Sequence, residues 1–374
     1  MIHFLPQFAP IRAAARTATF FLKVLPMLPS RPVDWVTGTP TEERVRYPSR
    51  AGLVEGDLYR PPGPGPHPGI LVCLGVVPFE VDHPQVPILG RALARAGFAA
   101  LLYWSPAMRD FRLDPEDVGE IALAYRWLIE RPDIDPGRSG LLGTCVGGSF
   151  ALMAAAHPLV RDRVAFVAEW AAYASMWTFA QDIASATRPV NGTREPWQVD
   201  PLTRKVYVHS MTAVLETSEA GTLRTALAEP NGKVDVATLS DYGRAIHPLL
   251  TALDPDDAER ALGRLPAPLR ERLDALSPTG YLKDIRAPLV LLAHDRDDGV
   301  IPIAESRQIW SVLPERPGAH YTEIGMFQHM DPTKQRVSPL VMVRELAKFY
   351  SLVYPIFRQA VGRAGPSVLS VEPA

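Results

Sequence analysis

Three residues of this chain are of the types that cooperate in nucleophilic catalysis, and they occur in the order cysteine, aspartate, histidine. Cys145 lies in residues 143–148, which read Gly-Thr-Cys-Val-Gly-Gly, between an apolar run and a small-residue stretch of helical character. Such a sequence is typical of a strand, a sharp turn and a helix, and its glycines leave room for the turn. The pattern predicts that the Cys145 thiol is an exposed nucleophile at a helix amino terminus.

A thiol at this position needs a base, and the base needs a carboxylate that orients it. The nucleophilic form is the thiolate, which the positive end of a helix dipole favours and which a nearby imidazole generates. His329 follows the predicted strand 320–324, and Asp298 lies in an acid-rich loop after the predicted strand 288–293. The alternatives are a small buried core residue for Cys145 and a surface loop residue for His329. The second cysteine, Cys73, lies within an apolar run and is predicted to be structural.

The identity of the carboxylate is left open among four residues. Asp298 is favoured by its place in the loop, and Asp295 or Asp297 could replace it or could be solvated charges and helix caps. Glu169, at the end of the preceding predicted strand, is a further alternative. His294 and His320 fall inside predicted strands and are expected to be core or sheet-edge residues. No cluster of histidine, cysteine and acidic residues has metal-ligand spacing, so no metal and no cofactor is predicted.

The elements that must position these residues alternate between strand and helix. Apolar runs predict buried strands, and helical patterns lie between these runs. The predicted fold class is therefore α/β, with a mostly parallel, twisted sheet and helices on both faces. A hairpin over 45–59 begins the sheet. The predicted strands are 45–48, 53–59, 69–77, 98–104, 139–142, 164–168, 288–293 and 320–324.

The alternation is interrupted once, and the ends of the chain differ from its centre. Residues 171–277 have helical stretches and no convincing buried strand, which predicts a helical cap inserted into the sheet domain. The core is expected to comprise residues 41–170 and 278–354. Residues 1–40 are predicted to form an amphipathic helix and a linker, and residues 355–374 to form a tail.

The composition limits the classes of function. The chain has 374 residues, a net charge of −2 and 47% hydrophobic residues, which is ordinary for a globular protein and gives no sign of nucleic-acid binding. Two cysteines cannot make a disulfide framework, which favours a reducing compartment and a cytoplasmic location.

The stretch between Pro10 and Pro26 has basic residues at helical spacing beside apolar ones, and Lys23 interrupts its apolar part. It is too short in apolar residues to span a membrane and is a poor signal peptide. Two interpretations stay open: docking on the main domain or a neighbouring subunit, and peripheral membrane attachment through residues 10–26.

With these residues and their order established, the chain resembles the α/β-hydrolase-fold enzymes. Its Gly-x-Cys-x-Gly-Gly segment resembles the nucleophile turn of the dienelactone hydrolases in particular. The loop that carries Asp298 is similar to the family's His-Gly-x-x-Asp-x-x-Val-Pro form, with Asp295 in place of the usual glycine. The resemblance covers roughly residues 42–170 and 278–352 and implies a Cys145, Asp298 and His329 triad.

The chemistry also requires backbone donors for the oxyanion that develops on the substrate. The Val146 amide is one candidate, and Leu74, Gly75 or Val76, at the carboxyl end of the predicted strand 69–77, is the other. The resemblance further implies that a glutamate in this region, here Glu80, could contact the resting thiol. A solvated charge is the alternative for Glu80.

The substrate pocket is expected to use aromatic residues near the cap, with Trp170 and Trp177 as candidates. Apolar cap residues such as Met176, Phe179 and Tyr207 either line this pocket or form the cap's own small core.

The predicted function is hydrolysis of a carboxylic ester or lactone through a thioester acyl-enzyme. A thioesterase or acyltransferase on the same site is the first alternative, and a catalytically degenerate binding protein is the second. The expected partner is a small-molecule ester, lactone or thioester rather than a nucleic acid. A homo-oligomer is compatible with the sequence.

Overall fold

The computed structural model describes residues 9–25, 28–77, 85–228, 233–329 and 338–361. Ten strands occur in these ranges, and their bounds follow. The strands are β1 (Thr41–Ser49), β2 (Gly52–Arg60), β3 (His67–Cys73), β4 (Ala99–Tyr103), β5 (Ile134–Thr144), β6 (Phe166–Trp170), β7 (Thr187–Val190), β8 (Thr193–Pro196), β9 (Leu289–Asp295) and β10 (Ala319–Ile324).

Eight of the strands form one sheet, in the order β1-β2-β4-β3-β5-β6-β9-β10. The β1–β2 and β2–β4 pairs are antiparallel, and all other neighbours are parallel, as predicted. Because β3, β5, β6, β9 and β10 are mutually parallel, their carboxyl ends meet at one edge of the sheet. Ligands bind at this edge in open α/β sheets.

Helices cover both faces of the sheet, and two apolar cores separate it from them. One core lies under helices that follow β4 and β5, and the other lies under the first and last helices. The helices of the sheet domain are α1 (Ala9–Val24), α2 (Arg31–Val36), α3 (Gln85–Arg95), α4 (Pro106–Arg109), α5 (Glu116–Ile129), α6 (Val146–Ala155), α13 (Ile303–Val312) and α14 (Pro339–Val361).

The segment between β6 and β9 contains six α-helices and a short hairpin, and it is called the cap below. Its helices are α7 (Met176–Ser185), α8 (Pro201–Met211), α9 (Thr217–Ala228), α10 (Asp241–Leu250), α11 (Pro255–Gly263) and α12 (Ala267–Ala275). The hairpin of β7 and β8 was not predicted. Its turn at Asn191 and Gly192 has positive φ at both residues, which is the backbone that an Asn-Gly hairpin turn needs, so this dipeptide was the missed signal.

The amphipathic helix α1 lies against the sheet domain. Phe20 packs on Phe357 and Phe21 on Phe349 of α14, with ring centroids 5.6 and 4.7 Å apart. The apolar face of α1 is therefore covered by the same chain, which agrees with the docked interpretation, whereas membrane contact stays a prediction. No helix in the described ranges has the length and apolarity to cross a membrane.

Several boundaries differ from the sequence-based ones, and the largest differences in the sheet domain are at β5 and α14. Strand β5 begins at Ile134 rather than at Ser139, because Ile134 and Asp135 pair with the start of β3. Helix α14 continues through Pro355 to Val361 instead of ending at Tyr354, so the predicted tail begins with ordered helix. Its last turns bury Ile356, Phe357 and Ala360 in the core, which compensates for the proline.

Candidate active site

Cys145 lies at a strained turn between β5 and α6. Its φ of 56° and ψ of −139° are rare for a residue with a side chain, and such backbone strain clusters at functional sites. The turn is held because the Cys145 amide donates to the Trp170 carbonyl at 2.7 Å and the Gly148 amide donates to the Cys145 carbonyl at 2.9 Å. The thiol is half-buried and lines a pocket between the sheet and the cap.

The glycines around Cys145 are required by close packing. A Cβ on Gly147 would lie 2.3 Å from the Cys73 carbonyl oxygen, and a Cβ on Gly143 would lie 2.3 Å from the Gly147 carbonyl oxygen. Both distances are much shorter than a van der Waals contact. The atoms that the Cβ would meet belong to the backbone, so they cannot move aside without disturbing the fold. The Gly-x-Cys-x-Gly pattern thus reflects the approach of helix α6 to strands β3 and β5.

The structure brings His329 and Asp298 to Cys145. Asp298 and His329 are themselves 31 positions apart along the chain. His329 Nδ1 lies 2.8 Å from Asp298 Oδ2, and the same imidazole lies close enough to Cys145 for the two side chains to interact. All three residues lie at the carboxyl edge of the sheet, after β5, β9 and β10. This is the geometry in which an imidazole can take a proton from a nucleophile while a carboxylate orients it.

The charges at this site favour a protonated imidazole. Burial by itself would lower the pKa of His329, but the negative charge of Cys145 and the hydrogen bonds with Asp298 and Cys145 raise it well above its usual value. The arrangement therefore stabilises positive charge on His329 beside the Asp298 carboxylate. The same balance is needed when an imidazolium forms during acyl transfer.

Asp298 is buried and oriented by four groups. Its Oδ1 accepts from the backbone amides of Val300 and Ile301 at 2.7 and 3.0 Å, and its Oδ2 faces His329 and, at 3.4 Å, His294 Nε2. Burial raises the pKa of this carboxyl, but hydrogen bonds with His294 and His329 outweigh that and hold the pKa well below the ordinary value. Asp298 is thus held as a carboxylate.

His294 is buried, as expected for a strand residue, but it also supports the site. Its Nε2 lies 2.9 Å from the Ile301 carbonyl oxygen and its Nδ1 lies 2.6 Å from Ser306 Oγ. These contacts place the ring behind Asp298, a role that sequence reasoning did not find. His320, in contrast, is exposed on β10.

Asp295 is not a solvated loop charge, because it is completely buried. Its Oδ2 accepts three consecutive backbone amides of the segment before His329, from Met326 at 2.9 Å, Phe327 at 2.6 Å and Gln328 at 3.2 Å. Gln328 and His329 both have positive φ, so this segment has an unusual backbone that the carboxylate holds together. Asp295 therefore fixes the loop that carries the imidazole.

Glu169 and Asp297 are placed differently from Asp298. Glu169 is buried at the end of β6, where its Oε2 accepts the Ala172 amide at 2.8 Å and its Oε1 has no partner. Burial raises the pKa of this carboxyl to about 7, against the opposing effect of His294. Asp297 donates its amide to Asp295 at 2.9 Å. Among the described residues, Asp298 is the carboxylate that bonds to His329.

The loop after β3 lies directly against the Cys145 turn. Gly75 has a φ of 79°, and a Cβ there would lie 2.9 Å from both the Gly147 amide nitrogen and the Thr144 carbonyl oxygen. Val76 and Val146 line the same pocket as Cys145, whereas Gly75 does not. Val146, Val76 and Gly75 stay predictions as the oxyanion donors. Glu80 lies outside the described residues.

The two cysteines have opposite surroundings. Cys73 is buried at the end of β3, and burial raises the pKa of its thiol far above the ordinary value, which makes it unreactive. Cys145 instead has an imidazole partner and opens into a pocket.

The pocket beside Cys145 is lined mainly by apolar residues of the cap. Met176, Phe179 and Tyr207 are among them, so these residues line the pocket as well as the cap core. The described lining contains neither Trp170 nor Trp177. The Trp170 indole donates to the His329 carbonyl at 2.8 Å, and the Trp177 indole donates to Asp274 at 2.7 Å.

Solved structures of known proteins superpose on most of this chain. A hydrolase of 2,6-dihydroxy-pseudo-oxynicotine superposes with a TM-score of 0.51 at 16% identity, over 85% of this chain and 68% of that one. An acylaminoacyl peptidase superposes with a TM-score of 0.51 at 16% identity, over 88% of this chain and 43% of that one. The chain has the α/β-hydrolase fold.

Sequence relatives match only in part. A Bradyrhizobium sp protein named a probable 2-oxo-3-(5-oxofuran-2-ylidene)propanoate lactonase is 31% identical over 150 residues, 36% of this chain and 55% of the relative. Human acyl-coenzyme A thioesterase 1 is 30% identical over 107 residues, 29% of this chain and 25% of the relative. A mouse acyl-coenzyme A amino acid N-acyltransferase is 32% identical over 111 residues, 28% and 25% of the two chains. No family model matches.

The chain thus spans about half the length of the lactonase relative and a quarter of the thioesterase and acyltransferase relatives. In the described ranges no group of three histidine, cysteine or acidic residues could hold a metal ion.

Proposed function

We propose that this protein hydrolyses a carboxylic ester, a lactone or a thioester through a covalent thioester on Cys145. The single observation that carries the proposal is the convergence on the strained Cys145 turn of an imidazole that interacts with the thiol and hydrogen-bonds to the buried Asp298. A structural cysteine needs neither the positive φ nor the oriented imidazole. The pocket at the thiol is lined by apolar side chains, which suit the hydrocarbon part of an acyl group.

In the proposed mechanism His329 first holds the thiol proton, and the Cys145 sulfur attacks the substrate carbonyl carbon. The carbonyl oxygen takes the negative charge and accepts hydrogen bonds from the Val146 and Val76 amides. The tetrahedral intermediate then breaks its bond to the leaving oxygen or sulfur, which receives the proton from His329. Asp298 keeps the ring oriented and stabilises its positive charge.

The thioester is resolved by water. His329 accepts a proton from the water molecule while its oxygen attacks the acyl carbon, and a second tetrahedral intermediate forms at the same two amides. Collapse of this intermediate breaks the carbon–sulfur bond, releases the carboxylic acid and returns the thiol to its starting state. The cycle needs no group beyond the residues named here.

The relatives favour acyl chemistry of this kind and leave its acceptor open. One carries a lactonase name, one a thioesterase name and one an N-acyltransferase name, so a thioesterase or acyltransferase on the same site is the second candidate. On the proposed site, all three reactions would pass through the thioester on Cys145. They differ in the leaving group and in whether water or an amine takes the acyl group.

The test compares Cys145→Ala with Cys73→Ala, a matched change at the buried cysteine. We expect the wild type and Cys73→Ala to hydrolyse p-nitrophenyl acetate or butyrate, and Cys145→Ala to lose at least about 10³-fold in kcat/KM. Circular dichroism and thermal melting establish that both variants fold. Undiminished hydrolysis by folded Cys145→Ala would refute the proposal.

Two further measurements separate the candidates. Faster turnover on addition of glycine, with an N-acyl product seen by mass spectrometry, identifies an acyltransferase. Hydrolysis of a thioester at a kcat/KM far above that of the matched oxygen ester identifies a thioesterase. If no ester is turned over and Cys145 alkylates no faster than Cys73, the protein is a binding protein with a degenerate site.

A further inference from the structure

The helices on the two faces of the sheet differ in charge. Helices α1, α3 and α14 pack over one apolar core, and α2 is tied to them because its Asp34 pairs with Lys23 of α1 at 2.6 Å and with Arg95 of α3 at 3.0 Å. These four helices are called the basic layer below. They hold nine Lys and Arg residues against two acids, a net charge of +7 in a chain whose net charge is −2.

The helices on the opposite face of the sheet provide the comparison. Helices α4, α5, α6 and α13 pack over the other core and hold three arginines against four acids, a net charge of −1. The excess of positive charge therefore belongs to one face of the sheet domain and is not a general property of its helices. A surface of one sign attracts partners of the opposite sign.

The protein compensates only part of the positive charge of the basic layer. Both acids of the layer are used internally, since Asp34 forms the two pairs given above and Glu345 is buried against cations of its own helix. Arg91 pairs with Glu42 of β1 at 2.5 Å. Four further cations of the layer form no ion pair with any described residue. They are Arg12, Arg16, Arg31 and Arg358.

Two of the uncompensated cations are close enough to repel each other. Burial lowers the pKa of Arg16 to about 10, and the positive charges of Arg12 and Arg138 contribute to this shift. Like charges that lie together without an acid destabilise the charged form of each group. An anionic surface next to the layer would relieve this repulsion.

Exposed apolar side chains accompany the cations. The basic layer carries six large hydrophobic residues on its outer sides, and two of them, Trp35 and Val36 at the end of α2, are 82 and 83% exposed. The opposite layer carries two, Trp310 and Val312. Several exposed apolar side chains on one face are typical of an interaction site. The six residues are Ile11, Trp35, Val36, Ile88, Leu340 and Val343.

Charge and apolar exposure together select the kind of partner. A duplex nucleic acid offers phosphates but no apolar medium for aliphatic side chains such as Val36 and Leu340. A second copy of the chain would bring two faces of equal positive charge together. The surface of an anionic bilayer offers both negative headgroups for arginines and an apolar boundary for tryptophan and aliphatic side chains.

We infer that the outer side of the basic layer binds the surface of a membrane that contains anionic lipids. Arg12, Arg31 and Arg358 contact the headgroups, and Trp35 and Val36 enter the boundary between headgroups and acyl chains. The inference does not depend on the hydrolytic activity proposed above. It also differs from attachment through the apolar face of α1, because α14 of the same chain covers that face.

The first experiment is flotation of the full chain with two kinds of vesicle, phosphatidylcholine alone and phosphatidylcholine mixed with phosphatidylserine. We expect at least about 10-fold stronger binding to the mixed vesicles at low salt, and a decrease as salt screens the charges. Equal binding to both vesicles, or binding to neither, would overturn the inference. Binding to duplex DNA as tight as to the mixed vesicles would assign the face to nucleic acid and would also overturn it.

A triple variant tests the cations. Changing Arg12, Arg31 and Arg358 to glutamine should lower the partition coefficient for mixed vesicles about 10- to 100-fold, because each Lys or Arg near an anionic surface contributes about fivefold. Circular dichroism and thermal melting establish that the variant folds. Undiminished binding by the folded variant would reject the assignment of these cations to the headgroups.

The matched control removes the same charge outside the basic layer. It changes Arg46, Arg260 and Arg286 to glutamine, three exposed arginines of β1, the cap and the segment before β9. Its binding to the mixed vesicles should change less than threefold. An equal loss in the two triple variants would show that only net charge matters and would leave no role for this face.

Trp35 reports whether apolar side chains enter the lipid. Vesicles with brominated acyl chains should quench the tryptophan fluorescence of the wild type, and Trp35→Phe should lose the larger part of this quenching. Equal quenching in both proteins would contradict the insertion. A dimer in analytical ultracentrifugation without lipid, dissociated by Trp35→Ser, would assign the face to contacts between copies and overturn the inference.

Discussion

The carboxyl edge of the sheet and the cap meet at Cys145, and they are built from different kinds of contact. At the sheet edge, buried polar groups bond to one another: Asp298 to His329, and Asp295 to three backbone amides. In the cap, apolar side chains of several helices line the pocket.

The difference indicates a division of labour. Polar groups fixed by several hydrogen bonds cannot shift without leaving buried atoms unsatisfied, which suits groups that must stay within reach of a reacting carbonyl. Apolar contacts are not directional, so the cap can change its lining without changing the chemistry. We expect changes at the sheet edge to act on kcat and changes in the cap to act on substrate preference.

The largest effect is expected for Asp298→Asn at the sheet edge. Loss of the carboxylate removes the partner that orients His329, and comparable changes in catalytic triads lower kcat by about 10³- to 10⁴-fold. Steady-state kinetics on the best ester measure this loss, and Asp297→Asn, a neighbouring acid in the same loop, is the control. A loss below tenfold would favour Glu169 as the functional carboxylate.

A smaller effect on the same side is expected for Asp295→Asn. The amide oxygen accepts hydrogen bonds more weakly than a carboxylate, so the segment 326–328 should loosen and kcat should fall about 10- to 100-fold with little change in KM. Alkylation of Cys145 by iodoacetamide should slow in parallel.

The control for Asp295 is Glu305→Gln. Glu305, on α13, is also buried and accepts hydrogen bonds from two backbone amides, Ala174 at 2.7 Å and Ser175 at 3.3 Å. These two residues belong to the start of the cap and not to the segment before His329. Glu305→Gln should lower the free energy of unfolding about as much as Asp295→Asn does, while its kcat should change less than threefold. Equal losses of kcat in both variants would show that Asp295 acts through general stability.

The charge balance at the sheet edge predicts how stability depends on pH. The pKa of His329 is raised in the folded state, so its contribution is complete below the unfolded pKa of about 6.5 and is lost as pH rises through the folded pKa. Urea unfolding from pH 6 to 9 should show wild-type stability falling relative to His329→Gln, by at most about 1.4 kcal/mol per pH unit. The exposed His320→Gln is the control, and parallel wild-type and His329→Gln curves would contradict the prediction.

The smallest effect is expected in the cap, for Met211→Ala. This residue lines the pocket, and its truncation should move the preferred acyl chain one or two carbons longer, changing the ratio of kcat/KM values about five- to tenfold. The kcat for acetate should stay within threefold. Val214→Ala, on the exposed side of the next turn, should change neither. A large loss of kcat for every ester would place the cap within the chemistry and remove the contrast.

The sequence predicted the sheet-edge region better than the cap. The order Cys145, Asp298, His329 and the strands that carry these residues were visible, because apolar runs and glycines depend on local packing. Asp295 was misjudged as a loop charge. Its three acceptor bonds go to a segment about 30 residues later, and no local pattern records such a partner.

The lining of the pocket was predicted only in part. Met176, Phe179 and Tyr207 were candidates, and the structure places them there. Trp170 and Trp177 were candidates of the same chemical type, but their indoles bond to His329 and Asp274. Arg272 of α12 also lines the described pocket but was not a candidate, because an arginine on a helix rich in charged residues is expected to be solvated.

By itself, the sequence determined the fold class, the position of the sharp turn at Cys145 and the order of Cys145, Asp298 and His329, because alternation, glycine placement and helix starts are local properties of the chain. Only the tertiary structure decided which of several acids faces His329, and which aromatic residues bond to other segments and which line the pocket. These outcomes depend on distances between segments far apart in the chain, and packing alone fixes those distances.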